Sequence, residues 1–513
     1  MRDSQHEPLS PLWWVTRLHN QMVERQAINK VYGDYYLGIH PVPWLPPQAR
    51  EDFARLLALT TSNYLGLVVD AQVERQEVVG FRINTRGADN SADMQADEDS
   101  WRLWQHNDLD TYYDMLLLES AITGAGYILV EPNPKEPKFP RIHIEHADQV
   151  IVEHVPGTNR RDTAAALKVW VDDWTEKTFA TLYLPDAIYK FQTGSTFTGM
   201  TQNWQPRELT REDRNVGRNP YGLVPIWESP NNPRLLTGGR SEIDDLLTIQ
   251  DRINKVLADR LLTQDFGAFP QKWASGWPEE DASGNPTPKI QIGRDRILTT
   301  DVPEAKFGQF SAADLDGYNK AKREDVKDIA SRSRTPAQYL LGEVANVSGD
   351  TLRLAESGLV AKVKQRCRPH STTLEAAMRF ARELSGESAL PDDAVIETLW
   401  RNPEFRTEGE LVDALVKMST IGVPQVALWE RWGATPSEIA RWQIMAKEEQ
   451  AAALAMDPLT ALAGRYRDSA STSQNDSVRA GNVQAGNAGS ASTADNPNDI
   501  QTQRGAGSSA RRA

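Results

Sequence analysis

The sequence predicts an α+β chain of several parts, in which two long helices carry a small module away from the main body and back. Three observations predict it. After Gly238 and Gly239, apolar residues recur at helical spacing for about six turns: Ile243, Leu246, Leu247, Ile253, Val256, Leu257 and Leu261. Gly267, Pro270, Gly276 and Pro278 break that pattern at once, and a second helical stretch, Asp314 to Ser333, returns the chain. Before the pair, between residues 127 and 191, short alternating segments separated by turn residues predict antiparallel strands.

Taken in order, Pro11 to Lys30 reads as an amphipathic helix with Trp13, Trp14, Leu18, Met22 and Ile28 near one face. Tyr32-Gly-Asp-Tyr-Tyr-Leu-Gly38 reads as a turn. Pro41-Val-Pro-Trp-Leu-Pro-Pro47 reads as an extended strip, because repeated proline fixes φ and removes backbone donors. Asn63 to Arg75 is a second helix that runs into a strand, Val78 to Ile83. Gly87 to Asp99 is polar and acidic and reads as a loop. Trp101 to Gly124 is a third helix, striped by Trp101, Trp104, Leu109, Tyr112, Tyr113, Leu116 and Leu117. An antiparallel meander follows, from Tyr127 to Phe191, with Pro156-Gly157 and Pro185-Asp186 as turns.

The central helix opens at Ser241, whose hydroxyl suits an N-cap. Glu242, Asp244 and Asp245 then lie where the positive end of a helix dipole favours acids. Phe266 to Phe310 carries Trp273, Trp277 and two short candidate strands, Ile290–Ile292 and Arg296–Leu298. The returning helix has a thin apolar stripe and alternating charges, Lys320, Lys322, Arg323, Glu324, Asp325, Lys327 and Asp328. Such a helix fits a solvated face or packing against copies of itself. Capping-box patterns start at Thr335, Thr407 and Thr435. Leu341 to Gly349 is a loop, Asp350 to Glu383 a long helix that Pro369 should kink, and Val395 to Trp400 a strand. A small helical part follows. From about Arg465 the chain is rich in Ser, Gly, Ala, Asn and Gln; it cannot offset its ordering entropy by burial and is predicted disordered.

Composition narrows the function. At 513 residues the chain exceeds one core. Acids outnumber bases, 71 to 57, and a net charge of −14 argues against a tight clamp on DNA, which needs Lys and Arg to release counterions. The single cysteine, Cys367, excludes an internal disulfide, and the bases around it favour a lowered thiol pKa. No window holds the ~18 apolar residues of a membrane span, and the first residues carry no apolar signal core, so assembly in the cytosol and no membrane partner are predicted.

Two clusters invite chemistry. His143, His146 and His154 lie near Glu145, Asp148 and Glu153. Strand alternation sets His143 and Glu145 opposite Ile142 and Ile144, which favours a solvated strand face over a metal site. Lys362, Lys364, Arg366, Arg368, Arg379 and Arg382 face a single acid, Glu375. They answer the acidic remainder of the chain, or they meet a polyanion such as DNA. Nucleotide, nucleophile-elbow and zinc motifs are missing, and no cofactor is implied.

The order of short motifs adds a resemblance. Tyr35-Tyr-Leu-Gly38; Asn63-Tyr-Leu-Gly-Leu-Val-Val-Asp-Ala-Gln-Val-Glu-Arg75 with Val79-Gly-Phe-Arg82; Trp104-Gln-His-Asn-Asp-Leu-Asp110; and Gly124-Ala-Gly-Tyr-Ile-Leu-Val130 come first. Val224-Pro-Ile226, Gly239-Arg-Ser-Glu-Ile243 with Asp251-Arg-Ile-Asn254, Pro270-Gln-Lys-Trp273 and Ser348-Gly349 follow. Over residues 15 to 455 the chain resembles the portal proteins of tailed bacteriophages, in the form common in long-tailed phages of actinobacteria.

The resemblance implies a portal fold. Its parts are a wing (1–237, with a kinked long helix and strand at 351–400), stem helices at 238–265 and 311–334, and a clip at 266–310. A tunnel-loop region (335–350), a helical crown (401–460) and a disordered tail (461–513) complete it. It implies a dodecameric ring at the capsid vertex of the virion, with double-stranded DNA passing through. Its partners would be the terminase large subunit, the head-tail adaptor, and the major capsid and scaffolding proteins. Glu343, Asn346, Ser348 and Asp350 would face DNA; Ile243, Leu246, Ile253 and Leu257 would pack the stem; Trp273 and Trp277 would serve docking; Lys362, Lys364, Arg366 and Arg368 remain polyanion candidates. The family supplies no catalytic residues. A metal-dependent DNA-processing enzyme and a capsid or adaptor protein without a channel are the competing readings.

Overall fold

The computed structural model describes residues 7–44, 59–86, 92–158, 160–194, 203–207, 217–268, 272–276, 304–309, 314–342, 349–386, 390, 394–404, 408–434 and 436–456. One unit covers Met1–Arg441; a second begins at Trp442, and its described residues are helical.

Helix α1 (Pro11–Tyr36) starts where Ser10 Oγ accepts the Trp13 N–H at 3.3 Å. It runs one and a half turns beyond the predicted end, so the three tyrosines belong to its last turns and not to a turn. Its buried face is Val15, Leu18 and Met22, whereas Ile28 is exposed. Asn63 Oδ1 accepts the N–H groups of Leu65 and Gly66 and so opens α2 (Leu65–Val73). Strand β1 (Val78–Arg86) then pairs with β2 (Ala92–Ala96), which lies in the stretch predicted as loop. The third predicted helix is two, α3 (Glu98–His106) and α4 (Leu109–Thr123). Asp108 between them has φ +51°, and Asn107 turns its amide to the carbonyls of Leu103 and Pro140.

The predicted meander is two sheets. β3 (Ala125–Glu131) is the centre of one, with β4 (Arg141–Glu145) on one side and β10 (Ile226–Pro230), almost a hundred residues later, on the other. β5 (Val150–His154), β6 (Thr163–Asp172), β7 (Lys177–Tyr183), β8 (Ile188–Gln192) and β9 (Gln205–Pro206) form the other, each beside its neighbour in sequence. All pairings are antiparallel.

The layers follow from alternation. Ile128 and Val130 point to one side of β3, into a core with α3, α4 and later chain; Tyr127 and Leu129 point to the other, onto Val150, Val152, Ala166, Tyr183 and Ile188. The opposite face of the five-stranded sheet, Ile151, Ala165, Leu167, Ala180 and Leu182, receives Val15, Leu18 and Met22 of α1. Apolar groups on both faces explain why β3 reads as an unbroken apolar run.

The later elements are α5 (Leu247–Ala268), β11 (Lys272–Ser275), β12 (Lys306–Gln309), α6 (Asp316–Ser333), α7 (Ala337–Leu341), α8 (Gly349–Ser385), β13 (Val395–Trp400), α9 (Glu408–Thr420), α10 (Gln425–Trp432) and α11 (Pro436–Met456). β11 and β12 pair with each other, and β13 pairs with β1 as its other neighbour. Pro369 lies inside α8, whose second half supplies Leu374, Ala377, Met378 and Ala381 to the first core. Thr335 does not cap α7: its side chain makes no such bond, and its N–H goes to the Ala330 carbonyl. The predicted strands Ile290–Ile292 and Arg296–Leu298, the capping residues Thr407 and Thr435, and the tail lie outside the described residues.

Candidate functional site

The helix pair α5/α6 is the candidate site, and its base explains how it is held. Backbone meets backbone there. Gly124 ends α4 with φ +97°, and its carbonyl accepts the Asn231 N–H at 2.8 Å. A Cβ on Gly239 would collide with that same carbonyl, so Gly239 is required by close approach, while Gly238 next to it supplies φ +71°. Asn231 Nδ2 then donates to the carbonyl of Arg240 and to Glu242 Oε1, both at 2.9 Å.

The predicted start of the helix is displaced. Residues 242–246 form turns, and α5 begins at Leu247. Ser241 Oγ does accept the Ile243 N–H, at 3.3 Å. The three acids, however, answer side chains instead of the dipole. Asp244 accepts from Tyr32 OH at 2.7 Å and from Arg240, which also reaches Asp245. Glu242 is buried. Lys362 Nζ lies 3.0 Å from its carboxylate, and Arg366 Nε donates to it. Burial opposes its ionisation, but Lys362, Arg366 and Asn231 outweigh that and hold the carboxyl at about 2. Burial, and Arg366 beside it, lower the Lys362 ammonium from its ordinary value.

Lys362 does a second thing. It also donates to the carbonyl of Ser333, the last residue of α6, at 3.1 Å. One ammonium of α8 therefore joins the chain leading into α5 to the chain leaving α6, at the negative end of a helix. Thus Lys362 and Arg366, predicted as polyanion candidates, are buried and spent on Glu242. Arg382 is buried against Asp97 and Asp99, and Arg379 donates to the Ala394 carbonyl. Of the basic stretch, Lys364 and Arg368 stay exposed. Cys367 is corrected likewise: burial pushes its thiol up to about 11, against the lowering predicted from its neighbours.

From this base the two helices run antiparallel. Arg252 Nη2 reaches Asp325 Oδ1 at 2.5 Å and Asp328 Oδ2 at 3.0 Å; further out, Arg260 donates to Asn319 at 2.9 Å and Thr263 to Tyr318 OH at 3.2 Å. Ile243, Leu246, Ile253 and Leu257 are buried together with Ile249, Val326, Ile329, Val68, Val69 and Ile122. The predicted stem-packing residues therefore pack within this chain. Tyr35 OH donates to Asp251 at 2.7 Å, and Gln250 and Asn254, both buried, bond the backbone at Ser62 and Tyr64. Beyond Ala258 on α5 and before Val326 on α6, no described side chain is buried. With 22 and 18 residues, the helices extend about 33 and 27 Å.

At the far end, Trp273 of β11 faces Gly308 of β12, and its ring occupies the space a Cβ there would need. Trp273 is exposed, whereas Trp277 lies outside the described residues. So do Glu343, Asn346 and Ser348; Asp350 is in the first turn of α8. The histidines do not converge. His146 meets Glu119 at 3.0 Å, His154 meets Glu228 at 2.9 Å, and His143 lies 3.9 Å from Glu131. Glu145 is not on a solvated face: it is buried and paired with Lys168 of β6, because β4 is covered by the second sheet. Among the described residues no three His, Cys, Asp or Glu are grouped to hold a metal ion.

A chain with a tethered helix pair and, among the described residues, no His, Cys, Asp or Glu cluster for a metal ion invites comparison with known proteins. The family model described as "Phage portal protein, SPP1 Gp6-like" matches residues 18–452. This chain belongs to the phage portal protein family. The portal protein of Mycobacterium phage D29 is 30% identical over 416 residues, 76% of this chain and 79% of that protein. The portal protein of Mycobacterium phage L5 is 32% identical over 371 residues, 69% of this chain and 72% of its own. Among solved structures, a chain from the neck of a native GTA particle aligns over 77% of this chain and 96% of its own, at 13% identity and a TM-score of 0.39. The portal forms the ring-shaped channel at one capsid vertex through which DNA is packaged and ejected, as a multi-subunit part of the virion. Among its described residues, no helix is long and apolar enough to cross a membrane.

Proposed function

We propose that α5 and α6 are the stem of this portal and line its channel, in a ring of twelve copies assembled in the host cytoplasm. One observation carries this: the pair is locked at its base by Glu242, Lys362 and Ser333, yet no described side chain beyond Ala258 on α5 or before Val326 on α6 is fully buried by its own chain. Helices of about 30 Å left half-covered need neighbours, and the alternating charges of α6 from Lys320 to Asp328 suit a polar contact with them. Residues 266–310, with Trp273 and Trp277, are the clip that docks the terminase large subunit and then the head-tail adaptor. Residues 1–237 with 351–400 are the wing, which meets the major capsid and scaffolding proteins, and 401–460 the crown. Exposed Val412, Val416, Ile421 and Trp432 support packing of the crown against other copies.

Residues 335–350 face the DNA through Glu343, Asn346, Ser348 and Asp350. The net charge of −14 lets the duplex slide without close phosphate pairing. Lys364 and Arg368 are the bases left for a polyanion. The portal is not an enzyme in this reading; hydrolysis of ATP belongs to the motor. Negative-stain images of the purified protein test the reading: rings with a central hole are expected, and monomers or dimers under every assembly condition overturn it. Cleavage of DNA by the pure protein with a divalent metal would favour a DNA-processing enzyme instead.

A further inference from the structure

We propose that the β6–β7 hairpin tip is a docking point, at which Trp174 enters an apolar socket ringed by Lys or Arg on a protein other than this chain. Trp174 is 97% exposed, at a turn that is built to hold it outward. Asp172 Oδ1 accepts the Trp174 N–H at 3.0 Å, and Asp172 Oδ2 accepts the Thr175 hydroxyl at 2.7 Å. Glu176 closes the turn at φ +52°, a conformation that a non-glycine residue takes only when its surroundings impose it.

The rings below it are used differently. Trp170 packs on Phe179 with centroids 5.7 Å apart, and Lys168 lies 6.0 Å from the Trp170 centroid. Trp174 stands clear of them. A large ring on a fixed backbone has only two side-chain torsions to lose on binding, which is one reason Trp is enriched at interface hot spots.

Charge selects the occupant. Asp172, Asp173 and Glu176 flank Trp174 in the turn, and the nearest base in sequence is Lys177 at the root of β7. A second copy, itself at net −14, is a poor match, whereas a basic rim is a good one.

The inference rests on this chain working inside an assembled particle, so ring formation is checked separately for each variant. With p-benzoylphenylalanine at position 174, irradiated heads should yield an adduct with a different protein, at a peptide carrying Lys or Arg. Arg161, exposed on the β5–β6 turn, serves as the control position. An adduct with another copy of this chain, or a yield no higher than at Arg161, overturns the proposal. Asp173→Lys with Glu176→Lys should lower the yield at least about tenfold with rings intact, the scale of one hot-spot contact. An unchanged yield contradicts the basic rim.

Discussion

Replacing Glu242 with Gln is expected to cost about 3–5 kcal/mol of subunit stability, read as a lowered urea midpoint by tryptophan fluorescence. The substitution keeps the shape and removes the charge, which leaves Lys362 and Arg366 buried without their anion. Its pH signature separates it from simple loss of packing. The carboxyl is held at about 2 in the fold, below the 4.5 of the free group. A depressed carboxyl contributes stability that is fully present above about 4.5 and is lost as pH falls towards 2. That window is worth about 3 kcal/mol. The stability of the Gln variant should therefore fall less steeply between those limits than that of the parent. Equal slopes would show that Glu242 does not carry the charge of the lock.

The double substitution Ile253→Asp, Leu257→Asp should abolish soluble rings, and the reason lies inside the subunit. Both side chains are buried among Val326, Ile329 and the α2 residues Val68 and Val69. Each loses a buried aliphatic group worth about 1.5–3 kcal/mol and places a charge among apolar side chains. A combined loss above about 5 kcal/mol exceeds much of the stability of an ordinary domain. The failure should appear as an unfolded or aggregated subunit by circular dichroism and gel filtration. Folded monomers that merely fail to assemble would show that these residues serve the ring interface and not the core.

The contrast between these two sites shows what the sequence makes legible. The apolar stripe of α5 is readable because helical period reports burial, whoever supplies the cover. It does not say whether the cover is the same chain or a neighbour, and here the stripe up to Leu257 is covered from within. The lock was not readable. Glu242 looks like a first-turn acid, and Lys362 and Arg366 like part of a basic surface, because their meeting spans over a hundred residues. The helix break at Asn107–Asp108 was hidden for a similar reason: Asn107 is held by Pro140 and Ile142, which lie on another element. Local alternation marks the strands but not their sheets, since β10 joins β3 from far downstream and nothing local to Tyr127–Val130 announces it. The tyrosines at 32, 35 and 36 read as a turn because Gly33 and Gly38 lie among them; their hydroxyls instead tie α1 to Asp244, Asp251 and Asp70.

The lock and the core together make a mechanical statement. The base of the hairpin is fixed to α1, α2 and α8, while its outer half is left to whatever surrounds it in the ring. On the proposed stem assignment, a channel wall built this way holds its position at one end and can adjust at the other.

A three-dimensional reconstruction of the purified ring tests that statement most directly. The account predicts that α5 and α6 of every subunit surround the narrow axis, with residues beyond Ala258 packed on the adjacent copy. A ring in which those helices lie on the outer rim, with another element lining the hole, would contradict it.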